Sequence, residues 1–374
     1  MSTTTPHHLE NDPALDAPGR AVHFVGSLPQ QLHPDDRTAM QWILDHTDKA
    51  GLTTLPCDRD PDWVVRWLHQ LADRDALTPI RRGNATGYHD YPRYRITPGQ
   101  RLAPEDVALR RASDTTAVMA ARRALDTTRT LPPMQVSVPN PLDLAYLCFG
   151  APLHLLTHLG VFRQALIDDV EEIHQHWGEE VVFQLETPAS LIAFDTAPTA
   201  LAPLMARFLA GQITRLITDT PREARWILHL CHGDLKHVPL VTPDSLGPAV
   251  RLIRALHHRL RTLGETMPPV HIPMCTGTTG PPTDAAFYRA LGRLPDDIEV
   301  IAGLVDEVNP QDSRRALELA ENALGRPVTA VAAACGHGRR TPAATADNTA
   351  LARSLAGTPY RPFASHHKSR GKQR

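Results

Sequence analysis

Eight short apolar runs recur along this chain, and a segment of helical periodicity follows each of them. The runs cover 22–27, 52–55, 134–138, 181–186, 270–274, 298–304 and 328–334, with one more opening at Trp226. The helical segments between and after them cover 34–49, 62–71, 142–149 with 155–177, 200–217, 246–263, 283–292, 313–323 and 343–355. Strict alternation of strand and helix calls for a parallel sheet, because parallel neighbours need a crossover and a helix supplies it. Eight repeats argue for a closed (β/α)8 TIM barrel, an α/β fold in a single domain. An open doubly wound sheet is the runner-up. No Gly-x-Gly-x-x-Gly follows any strand, which weakens that alternative.

The chain is long enough for one such barrel, at 374 residues, and its 42% apolar and 21% charged residues are ordinary for a globular protein. A formal net charge of −2 points to neither a nucleic acid nor an acidic membrane as partner. Five cysteines at 57, 148, 231, 275 and 335 are odd in number and irregular in spacing. They read as free thiols in a reducing, cytoplasmic setting. No leader-like segment and no membrane-length apolar run is visible.

Three stretches break the alternation. Residues 1–20 are polar, carry three prolines and read as a disordered tail. Residues 357–374 read as a basic disordered tail, leaving 21–356 for the barrel. Residues 76–130 form a long connection after the second strand, which reads as an insertion or lid. Its stretch from Tyr88 to Arg95, with three tyrosines and two arginines, suits either a clamp over a pocket or a β-hairpin on the barrel end.

Barrels of this kind place their chemistry at the C-terminal strand ends. Those ends carry Ser27, Asp58, Glu186, His229 with Cys231, Cys275, Asp306 with Glu307, and Cys335 with His337. His229 and Cys231 are two apart, so on a strand they share a face. An imidazole and a thiol there make half of a zinc site, although a buried small hydrophobe beside a hydrogen-bonded core histidine explains the pair equally simply. Cys335 lies 104 positions beyond Cys231, yet its strand end faces the same mouth and completes a three-ligand set. Zinc suits two thiolates and an imidazole, and three protein ligands leave a fourth position open. A thiol taking that position becomes a nucleophile at neutral pH, which suits alkyl transfer to sulfur. A water there makes the same site hydrolytic.

These motifs resemble the C-terminal catalytic barrel of the cobalamin-independent methionine synthases over roughly residues 22–356. Leu228-His229-Leu230-Cys231 is similar to that family's zinc pair, and Ala334-Cys335-Gly336 to its late zinc cysteine. Gly26-Ser27-Leu28-Pro29 resembles the turn that holds the amino acid carboxylate. Gln184-Leu185-Glu186-Thr187-Pro188-Ala189 resembles the segment whose acidic residue holds the amino group, and Asp58 stands where the family has a second acid for that amine. The resemblance implies zinc as cofactor and a thiol or amino acid as small-molecule substrate. It implies a substrate-binding role for Ser27, Asp58 and Glu186.

The chain also departs from that pattern. The sixth strand lacks the family's glutamate ligand and has Pro273 near its place. His271 and Cys275, on the same face, are the candidates for a fourth ligand. After the seventh strand, Val305-Asp306-Glu307 replaces the family's histidine, which makes Asp306 and Glu307 the candidate catalytic acids. Asp58 and Glu186 are expected in the mouth, holding a cationic group, unless a lid arginine such as Arg93 pairs with them. Three readings stay open: zinc-dependent methyl transfer to a thiol, a zinc hydrolase or lyase, and a non-catalytic ligand-binding barrel.

Overall fold

The computed structural model describes residues 19–362 apart from 27, 48–50, 57, 59–61, 85, 87–89, 126–129, 151 and 234–237. Ser27, Cys57, Tyr88 and His89 therefore lie outside the described residues, as do 1–18 and 363–374 of the two expected tails. Ten strands appear in chain order: β1 (Ala21–His23), β2 (Leu55–Pro56), β3 (Leu77–Arg81), β4 (Arg93–Ile96), β5 (Met134–Pro139), β6 (Val181–Thr187), β7 (Trp226–Leu230), β8 (Val270–Pro273), β9 (Val300–Gly303) and β10 (Ala330–Ala332).

Eight of them form one sheet in the order β1-β10-β9-β8-β7-β6-β5-β2, with every pairing parallel. The sheet curls until its two edges meet. Val22 of β1 bridges Leu52, its amide donating to Gly51 O at 2.7 Å while its carbonyl accepts from Thr53 N at 3.1 Å. This is the expected (β/α)8 arrangement in a single domain. β2 is short, and its Pro56 has no N–H to give to the ladder.

Side-chain alternation divides the core. Outward residues such as Phe183, Leu185, Leu228 and Val300 join the large apolar layer under the helices. Inward residues Val25, Val182, Ile227, Ile301, Ala330 and Ala332 form a separate plug inside the barrel. The next inward positions are polar: His23, Gln135, Gln184, His229 and His271, all buried. Register sets Glu186 beside His229 and His229 beside His271. The two-residue spacing that follows Val182 and Ile227 thus lifts Gln184 and His229, and then Glu186 and Cys231, toward the mouth.

The 76–130 segment has secondary structure of its own. β3 and β4 pair antiparallel as a hairpin, and helices Pro104–Val107 and Arg111–Arg123 follow. The segment is tied down by backbone acceptors on neighbouring helices. Tyr94 Oη donates to Leu68 O at 2.5 Å, and Arg93 Nη1 to Leu147 O at 2.6 Å. Arg20, inside the stretch read as an N-terminal tail, is buried and paired with Glu321 at 2.5 Å. Among the described residues no helix is long and apolar enough to cross a membrane.

Candidate metal centre

β7 ends with His229 on the inner face, and Cys231 follows on the same side just beyond it. Cys335 comes up from the loop after β10. The ligand atoms of His229, Cys231 and Cys335 all lie within 4.8 Å of one another. The first two residues are buried and Cys335 is half-buried. Gly233, at φ +81°, turns its amide back so that it donates to Cys231 Sγ at 3.2 Å. A left-handed turn of this kind favours glycine, and the N–H stabilises negative charge on the sulfur.

The tautomer of His229 follows from its neighbours. His271 Nε2 donates to Ala333 O at 3.0 Å. Burial, helped by His229 and His23, pushes the His271 imidazole well below its ordinary pKa, so the ring is neutral and its Nδ1 is an acceptor. His229 Nδ1 lies 2.9 Å from that atom and must donate to it. The proton on Nδ1 leaves Nε2 of His229 as a lone pair, with Glu186 Oε2 3.7 Å away. A metal-ligating histidine is set up in this way by its outer hydrogen bond. The packing requires Gly303, since a Cβ there would lie 2.5 Å from His271 Nε2.

Neither expected fourth ligand joins the cluster. Both ring nitrogens of His271 are spent as above, so it positions His229 instead of sharing an ion. Cys275 Sγ contacts Gly303 O at 3.4 Å, and burial pushes its thiol up to about 12.

The acidic candidates divide. Asp58 lines the mouth, but its carboxylate accepts from Arg111 Nη2 and, at 2.5 Å, from Ser137 Oγ. Its cationic partner is thus an arginine of the insertion, Arg111 and not Arg93. The Arg111 guanidinium also stacks over Trp63, 4.7 Å from the ring centre. Glu186 keeps one oxygen on Gln184 Nε2 at 2.8 Å. Burial raises its pKa above the ordinary carboxylate value, opposed by His229 and Gln184. Gln184 is itself fixed, donating to Val25 O at 2.5 Å and accepting from His23 Nε2 at 3.0 Å.

Asp306 and Glu307 do not reach the mouth. Asp306 accepts from Asn309 Nδ2 at 2.6 Å, and Glu307 from Arg340 Nε at 3.0 Å and Asn348 Nδ2 at 2.7 Å. Neither lines the cavity that Cys231 and Cys335 open into, which holds about 640 Å³. Asp143, which does line it, was hidden in the sequence. It stands at the third position of helix Pro141–Phe149, three residues after the Asn140 cap, where an acid reads as helix-terminal charge.

No protein-family model matches the chain, and no curated protein matches it in sequence. Solved structures do match in shape. A B12-independent methionine synthase from Shewanella sp. W3-18-1, in complex with selenomethionine, superposes with a TM-score of 0.54 at 13% identity, covering 90% of this chain and 97% of its own. A methyltransferase from Methanosarcina mazei gives 0.51 at 13% identity, covering 91% and 94%. The fold of this chain is therefore the barrel that these proteins share, with a His-Cys-Cys cluster gathered at its mouth.

Proposed function

We propose that this protein is a zinc-dependent, methionine synthase-like enzyme that transfers an alkyl group, a methyl in the simplest case, to a small thiol. The observation that carries the reading is the convergence of His229, Cys231 and Cys335 within 4.8 Å at the mouth of a barrel. The donor set fits zinc: two thiols and an imidazole whose Nε2 is held as a lone pair. Bound there, zinc supplies a Lewis acid that lets an approaching thiol ionise at neutral pH. The likeness to a methionine synthase structure holding selenomethionine supports a sulfur-bearing amino acid or a related thiol as substrate.

The remaining residues bind and orient. Glu186 faces the mouth beside His229 and takes the substrate's amino group. Asp58, neutralised by Arg111, braces the insertion helix against the mouth, so the insertion walls the site. Ser27 is assigned to the substrate's polar end on the sequence resemblance. Asp306 and Glu307 are given a structural role, because Asp306 is held within its own loop and Glu307 by Arg340 and by Asn348 of helix Pro342–Ala356. The four free cysteines of the described residues suit a reducing compartment such as the cytoplasm.

Protein purified without chelator is expected to hold close to one zinc per chain. After cobalt exchange, addition of homocysteine should alter the sulfur-to-metal charge-transfer absorption. Absence of zinc, or a cobalt spectrum indifferent to every thiol tried, rejects the reading.

A further inference from the structure

Asp143 is 5% exposed and lines the cavity. Its Oδ1 accepts from Ala189 N at 2.6 Å, at the start of helix Pro188–Thr196. Its Oδ2 is buried and has no hydrogen-bond partner among the described residues. A buried carboxylate oxygen left this way is costly unless something pairs with it. Here the cost falls on the carboxyl itself. Burial, with Cys231 and Glu186 nearby, pushes its pKa well above the ordinary value. Pro139, four residues earlier, is the register partner of Glu186, so the two acids belong to one end of the cavity.

The helix wall of the cavity is apolar. Leu155, Ile192, Met205, Phe208, Leu209 and Leu240 line it, from helices Pro152–Trp177, Pro188–Thr196 and Ala202–Asp219 and the loop after β7. At the rim Leu156 and Leu240 are left 55% and 41% exposed. The charge along the described lining is one-sided: Asp58, Asp62, Asp143 and Glu186 against a single cation, Arg339, which pairs with Asp62 at 3.6 Å. Among the described lining residues the one cation is already paired with an acid. A volume of about 640 Å³ is the size of pocket that encloses a drug-sized ligand, well beyond a four-carbon amino acid.

We infer that the cavity takes an amphipathic cation, an alkyl or similarly apolar body carrying an ammonium head, with Asp143 as the head's second carboxylate and the helix wall as the bed for its body. The inference rests on the reading above that this mouth is the substrate site. It adds the residue that replaces Asp58 in charge and the chemical class of the rest of the ligand. Asp58 is unavailable because Arg111 already neutralises it. In the empty cavity burial favours the neutral acid, and a cation arriving there displaces the carboxyl proton and gives Oδ2 the partner it lacks.

Calorimetric titration of the zinc-loaded protein at pH 7 tests this, with n-propylamine, n-hexylamine, n-octylamine and octanoate as probes. The amines are ammonium ions at that pH and so are weak metal ligands. Affinity should rise about fourfold per added methylene while the chain is being buried. Octylamine should bind more than tenfold tighter than octanoate. Asp143→Asn, nearly isosteric, should lose about tenfold for octylamine. Ile192→Trp, which fills the wall, should flatten the dependence on chain length and leave propylamine unchanged. Equal binding of octylamine and octanoate, no dependence on chain length, or wild-type affinity in Asp143→Asn overturns the inference. Zinc content and the cobalt response to homocysteine, measured on the same preparations, stay intact if only this inference fails. They are lost if the metal reading is what fails.

Discussion

Two polar clusters stand at C-terminal strand ends of this barrel, and their side chains are employed differently. In the loop after β9 each carboxylate oxygen is occupied. Asp306 accepts from Val308 N at 3.3 Å and Asn309 Nδ2 at 2.6 Å, while Glu307 accepts from Arg340 and Asn348. Asn348 returns to the loop through Val305 O at 3.0 Å. At the ends of β7 and β10, the ligand atoms of two thiols and an imidazole come within 4.8 Å of one another. Residue type nominates a strand-end side chain for chemistry. Which groups its donors and acceptors meet decides between chemistry and architecture.

The contrast breaks most sharply by substitution in each cluster. Cys335→Ser should reduce zinc affinity by more than the roughly 10–100-fold that loss of an outer hydrogen-bond partner costs. Unfolding of the metal-free chain should change little. Glu307→Gln should do the reverse: zinc binding unchanged, and stability lower by about 3 kcal/mol because the buried Arg340 guanidinium loses its counter-charge. Chelator competition and urea denaturation read the two effects. If Glu307→Gln also weakens zinc, the clusters are coupled and the distinction drawn here is wrong.

The next effect in size concerns the support of the His-Cys-Cys cluster. His271→Phe removes the acceptor that holds the proton on His229 Nδ1 and should weaken zinc binding by roughly 10–100-fold. Gly303→Ala should act in the same direction by pushing on the His271 ring. Unaltered zinc affinity in both variants would reduce the His271 contact to packing.

Much of this was legible before the structure. The eightfold alternation gave the barrel, because crossover helices and buried parallel strands leave a periodic trace. The His229–Cys231 pair was readable from strand parity. Cys335 was readable because strand ends of a closed barrel share one mouth. What escaped was anything that depends on which partner a side chain meets. Asp58 reads as a ligand for an amine until Arg111, from a helix in the insertion, is seen to occupy it. His271 has the right residue type and the right face for a fourth ligand, and only the 2.9 Å contact between two Nδ1 atoms turns it into a support. Asp143 looks like first-turn helix charge, and its unpaired Oδ2 is a fact of packing that no spacing encodes.

The smallest expected effect sharpens the comparison from beneath. His23 lies in the polar layer under the His-Cys-Cys cluster, donating from Nε2 to Gln184 and accepting at Nδ1 from Thr53 Oγ1 at 2.7 Å. Burial lowers its pKa from 6.5 to about 3, more than its hydrogen bond with Gln184 opposes. The folded state therefore keeps His23 neutral, while the unfolded chain takes up a proton as pH falls below 6.5. Its contribution to stability is present above pH 6.5 and is lost progressively down to about pH 3. At pH 5 the loss from this one group is about 2 kcal/mol by linkage. Replacing it by glutamine keeps a donor and an acceptor but removes the titration. Urea denaturation at pH 7 and pH 5 should then show wild type losing about 2 kcal/mol more than His23→Gln over that interval. Any acid effect on zinc is common to both chains and cancels in the difference. Equal losses in the two proteins would mean that His23 is not held neutral, and that the polar layer admits water or protons where Gln184 is here described as fixed.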